Sequence, residues 1–206
     1  MEWNLYKIKQ HTMIGKYNQF EQKQKPVQMS KPLNEAISVG GRIVTPKTLP
    51  GDIADILDER IGDEYTAHYF YRNAANWCKN ANYKKAAEFF EAEANSELEH
   101  AKGLQDYLTQ WNLLPAIPSA PTKKSFESLI DIVNGAYEME YGLLEKYSGN
   151  QVESFKEHPA TFNFIQKYVD IQNGAVGEYS DLLNALNLID VNNKLDVLYF
   201  ENKYFG

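Results

Sequence analysis

The chain has 206 residues, a net charge of −7, 43% hydrophobic content and one cysteine, Cys78. That is enough for one sizeable core, and it excludes an intrachain disulfide framework. No apolar run approaches the ~20 residues that span a bilayer, and Met1-Glu2-Trp3-Asn4 lacks the start of a signal peptide. No membrane partner and a cytoplasmic location are therefore expected.

Charge divides the chain. Residues 1–50 hold eight Lys and Arg against three acids, or +5, and the remainder holds 13 basic and 25 acidic residues, or −12. An acidic body attracts cations. Asn18 to Lys31 is rich in Gln and Lys without a sustained period, and reads as a linker or arm. Ile37 to Val44 places two β-prone pieces around Gly40-Gly41, a candidate hairpin. Residues 1–50 are thus an N-terminal extension that could dock a protein partner.

From Asp52 the apolar period becomes helical. Ile53, Ile56, Leu57, Ile61, Ala67, Phe70, Tyr71 and Ala74 predict a first helix to about Trp77, broken by Asn80-Ala81-Asn82. The second runs from Tyr83 to about Trp111. Pro115, Pro118 and Pro121 then exclude helix up to Lys124. The third starts near Ser125, a candidate N-cap, and stops at Ser148-Gly149-Asn150. The fourth starts around Pro159 and reaches Leu186. Short first and third connections make neighbours antiparallel, while Asn112 to Lys124 can span about 40 Å when extended. The expected fold is all-α: a four-helix bundle with one long crossover at 51–188, followed by a 189–206 tail with room for a short fifth helix.

Glu97-Leu98-Glu99-His100 puts a carboxylate and an imidazole one turn apart on the second helix, able to share one metal ion. Such a motif also arises by chance on acidic helices. Glu64 lies in the apolar stripe of the first helix, with Tyr71 two turns on. Glu140 precedes Leu143-Leu144 in the third, and Gln172 follows Val169 in the fourth. Buried carboxylates are costly unless paired or metal-bound. Carboxylates with one imidazole suit iron, manganese or zinc alike.

Asp52 to Leu188 resembles a non-haem ferritin of the bacterial and heavy-chain type. The resemblance is carried by Leu57-Asp58-Glu59-Arg60-Ile61-Gly62-Asp63-Glu64-Tyr65, Ser96-Glu97-Leu98-Glu99-His100-Ala101, Asp106-Tyr107-Leu108-Thr109, Tyr137-Glu138-Met139-Glu140 and Tyr168-Val169-Asp170-Ile171-Gln172. It implies a ferroxidase that oxidises Fe(II) with O₂ at a di-iron centre inside each bundle, two Fe per subunit, with iron storage as a further role. Glu64 and His100 would hold the first iron, Glu97 would bridge, and Glu140 would hold the second. Gln172 would be a nearby hydrogen-bonding residue and Tyr71 the tyrosine beside the centre. A homo-oligomer is implied.

The chain has Gln172-x-x-Ala175 where other di-iron bundles repeat Glu-x-x-His. Ser96, Ile171, Gly174 and Ala175 stand where some bacterial ferritins build a third iron site. The second reading, of another class, is a structural assembly module whose arm, residues 1–50, docks a partner. Nucleic acid is not among the expected partners.

Overall fold

The computed structural model describes residues 43–119 and 125–205. Five helices account for most of them: α1 (Gly51–Ala81), α2 (Lys84–Gln110), α3 (Leu129–Glu157), α4 (Pro159–Leu186) and α5 (Lys194–Tyr204). The chain divides into two units, Met1–Thr45 and Pro46–Gly206. The basic arm and nearly all of the Ile37–Val44 hairpin fall outside the described residues. Ile43 and Val44 have no regular structure. Among the described residues no helix is long and apolar enough to cross a membrane.

Local chemistry explains most of the boundaries. α1 ends at Asn82, whose φ of 66° is left-handed and which needs no glycine, because Asn tolerates that region. α3 starts on Ser128, whose hydroxyl accepts from the Asp131 amide at 3.0 Å, while Asp131 Oδ2 accepts from the Glu127 amide at 3.1 Å. This reciprocal pair moves the start three residues past the expected Ser125. The expected stop at Ser148-Gly149-Asn150 is overridden, and α3 continues to Glu157. Arg60 of α1 donates to Asn150 Oδ1 at 3.0 Å, and buried Ser154 donates to the Asn150 carbonyl at 2.7 Å. Tertiary partners thus outweigh a weak local stop. α4 follows α3 after one residue, His158, whose ring accepts from the Thr161 amide ahead of Pro159 at the first helical position.

Cross-helix pairs fix the topology. Tyr65 meets Gln105, Glu64 meets His100, and Arg72 and Lys79 meet Glu91, so α1 and α2 are antiparallel. Arg60 meets Asn150, Glu64 meets Tyr147, and Tyr71 meets Glu140, so α1 and α3 are antiparallel as well. α2 and α3 are therefore parallel, and the segment between them must run the length of the bundle. It is tied to α1 by the Ala116 amide donating to Asp58 Oδ1 at 3.0 Å. The sequence expectation of one long crossover holds.

The core is in two parts. One cluster joins Phe70, Ala74, Phe90, Ile132, Leu182 and, from α5, Val197 and Phe200. The other joins Leu57, Ile61, Leu104, Leu108, Leu143 and Ile165. Between them, in each of the four long helices, one buried polar residue interrupts the apolar stripe: Glu64, Glu97, Glu140 and Gln172.

Candidate metal centre

The four interrupting residues are 0%, 3%, 0% and 1% exposed in that order. Burying three carboxyl groups in one layer is unfavourable unless protons or cations neutralise them. Glu64, Glu97 and His100 each offer one ligand atom, and these atoms lie within 4.8 Å of one another. His100 Nδ1 stands 3.1 Å from Glu97 Oε2 and 3.6 Å from Glu64 Oε2. One turn of α2 sets the Glu97–His100 pair, and the antiparallel packing of α1 brings Glu64 to it.

Two oxygens of this layer, Glu140 Oε2 and Gln172 Oε1, are buried and accept no hydrogen bond, while buried Glu64 Oε2 faces His100 Nδ1 at 3.6 Å. Tyrosines hold the other oxygens of Glu64 and Glu140: Tyr147 donates to Glu64 Oε1, and Tyr71 donates to Glu140 Oε1. Tyr71 also stacks between Phe90 and Tyr179, so it is both a packed core ring and a hydrogen-bond donor to the site.

The proton affinities show how the layer balances its charge. Burial pushes Glu97 up to about 9, aided by its neighbour Glu64, against the His100 hydrogen bond. Burial pushes Glu140 up to about 7, against the Tyr71 hydrogen bond. For Glu64 burial is outweighed by hydrogen bonds with His100, Glu97 and Tyr147, and its carboxyl is held below the usual range. Burial alone would lower His100, but its hydrogen bonds to Glu64 and Glu97 raise it to about 10.

All six residues expected at the site lie in or beside the layer, and Glu64, Glu97 and His100 are in mutual reach. Sequence reasoning did not single out Tyr147 or Tyr179. Their signal was a spacing of seven: Tyr71 follows Glu64, Tyr147 follows Glu140, and Tyr179 follows Gln172, each by two turns. Tyr168 donates to the His100 carbonyl at 3.1 Å and stacks on Tyr147. His68, one turn from Glu64, is engaged elsewhere, with Nδ1 2.6 Å from the Ala94 carbonyl. Cys78 is buried, and burial pushes its thiol up to about 12, which leaves it a packing residue.

Known proteins resemble this chain in sequence and fold. Residues 54–189 match the ferritin-like domain of the ferritin family. A bacterial non-heme ferritin of Campylobacter jejuni is 28% identical over 144 residues, covering 68% of this chain and 86% of that one. A probable bacterial non-heme ferritin-like protein of Haemophilus influenzae is 26% identical, covering 71% and 90%. Among solved structures, an open-pore ferritin from Archaeoglobus fulgidus superposes with a TM-score of 0.71 at 19% identity, covering 77% of this chain and 98% of that chain. With the family match spanning well over half of its length, the chain belongs to the ferritin family.

Proposed function

We propose that this protein is an iron-binding ferroxidase that takes up two Fe(II) ions per subunit in the buried polar layer and oxidises them with O₂. The observation that supports this most directly is the convergence of Glu64, Glu97 and His100, next to two further buried oxygens, on Glu140 and Gln172, that lack partners. Unpartnered buried oxygens are costly, and a hard cation satisfies several at once. His100 Nδ1 and Glu64 would hold the first iron, Glu97 would bridge, and Glu140 would hold the second with Gln172 beside it.

Iron is the substrate. Two Fe(II) release two electrons, and one O₂ with two protons accepts them at the level of hydrogen peroxide, leaving two Fe(III). The second position has one carboxylate and an amide of its own, and no imidazole. It should therefore bind iron less tightly and release it after oxidation, which suits transfer to a store. Homo-oligomerisation is part of this proposal.

The test begins with metal-free protein. Fe(II) is added without oxygen, air is admitted, and ferric absorbance is followed, with particle mass and iron content measured on the same sample. Glu97→Ala and His100→Ala should each lose most of the fast phase. Either variant oxidising iron at the parent rate refutes the assignment.

A further inference from the structure

Tyr147 is outside the ligand set named above, yet its hydroxyl ends on that set. We propose that Tyr147 is a positioning residue for Glu64: it occupies one carboxylate oxygen, so that Glu64 presents a cation with the other oxygen alone. This rests on the di-iron reading of the same layer and adds how the first ion is kept open.

The geometry is specific. Tyr147 is 0% exposed, and its hydroxyl donates to Glu64 Oε1. Glu64 Oε2 takes no tyrosine and faces His100 Nδ1 at 3.6 Å. The tyrosine cannot swing aside. Its ring stacks on Tyr168 at 5.1 Å between centroids and 14° between planes. Tyr168 is itself held by its hydroxyl on the His100 carbonyl, at 3.1 Å. That hydroxyl lies so close to α2 that a Cβ on Gly103 would sit 2.6 Å from it. The two tyrosines therefore bracket the His100 end of the layer from α3 and α4.

The same device appears a second time, reversed. Because α1 and α3 are antiparallel and each carries a Glu followed by a Tyr seven residues later, Tyr147 reaches Glu64 while Tyr71 reaches Glu140. Each outer carboxylate ends with one oxygen held by a tyrosine and the other turned away from it. A carboxylate restricted to one oxygen fills one coordination position instead of two. The vacated position is what O₂ or water needs in order to reach the ion. The hydrogen-bonded partner of a ligand also orients it, and removing such a partner typically costs about 10–100-fold in metal affinity.

The test uses the full chain, metal-free, loaded with Co(II) and, separately, titrated with Zn(II) in a calorimeter. Tyr147→Phe keeps the ring and the stack and removes only the hydroxyl. Glu97→Ala serves as the control for the centre itself, and thermal unfolding checks that each variant folds. In Tyr147→Phe, Glu64 is expected to close on the ion with both oxygens. The visible Co(II) band then weakens as the coordination number rises, and Zn(II) binds about tenfold less tightly. A Co(II) band of parental shape and intensity overturns the proposal. A fall in thermal stability with an unchanged band overturns it as well, since Tyr147 then only packs. If the parent binds no Co(II), or Glu97→Ala binds it like the parent, the di-iron reading fails and this inference with it. A parent that binds normally beside an unchanged Tyr147→Phe overturns this inference alone.

Discussion

Glu201 offers a sharp test of how the last helix supports α2. The N-cap of α2 is Tyr83, which supplies no side-chain cap, so the first amides of the helix need another acceptor. Glu201 of α5 is 3% exposed, and its Oε1 accepts from the Lys85 amide at 2.7 Å and the Ala86 amide at 3.2 Å. A carboxylate there also opposes the positive end of the helix dipole. Glu201→Ala leaves two amides without an acceptor, one of them on fully buried Ala86. Each unmade bond of this kind costs about 1–3 kcal/mol, so the pair should cost about 2–4 kcal/mol after relaxation. At about 2–4 °C per kcal/mol for a domain of this size, the midpoint should fall by roughly 5–15 °C. Glu201→Gln keeps an acceptor oxygen and loses only the charge, at a cost of about 1 kcal/mol. Thermal unfolding of metal-free protein, followed by circular dichroism, reads both variants. If Glu201→Ala melts within 2 °C of the parent on that scale, or Glu201→Gln is as damaged as Glu201→Ala, the capping argument is wrong.

Two further outcomes follow from the layer and its surroundings. Glu140 is raised from 4.5 to about 7 in the folded chain, so its contribution is fully present below pH 4.5 and is lost as pH rises through 7. Metal-free protein should therefore lose about 3 kcal/mol from this group between pH 4.5 and 8, and Glu140→Gln should flatten that part of the urea-unfolding profile; parallel profiles would contradict it. Gly103→Ala should destabilise by about 1–3 kcal/mol despite the better helix propensity of alanine, because its Cβ would meet the Tyr168 hydroxyl at 2.6 Å. Adding Tyr168→Phe, which removes that hydroxyl, should recover part of the loss, and strict additivity in the double-mutant cycle would show that the two do not meet.

The parts of this protein that were legible in the sequence are those set by local period. Helix spacing marked all four long helices, and the one-turn spacing of Glu97 and His100 marked the centre. Glu64, Glu140 and Gln172 were legible because each interrupts an apolar stripe, and an inward polar residue must have a reason. What escaped reading depends on partners far along the chain. Ser148-Gly149-Asn150 carries ordinary stop residues, and Arg60, ninety residues earlier, helps hold Asn150 inside the helix. The cap of α2 comes from Glu201, more than a hundred residues later, and Tyr83 gives no hint of it. Tyr147 stands at a legible spacing from Glu140 but serves Glu64, which requires knowing that α1 and α3 run in opposite directions.

The single residue between α3 and α4 has a kinetic consequence. With only His158 to close, α3 and α4 can form a hairpin from near neighbours in sequence, and α1 and α2 can do the same across Asn82 and Tyr83. Such local pairings assemble fast, whereas docking one hairpin on the other must wait for the crossover to find its course. The proposed ligands are divided along the same line. Glu64, Glu97 and His100 belong to the first hairpin, and Glu140 and Gln172 to the second. An ion captured early could be held by the first hairpin alone. The second position, and the tyrosine that holds Glu64, come into being only with docking, so the unfinished chain would bind metal before it is built to turn it over.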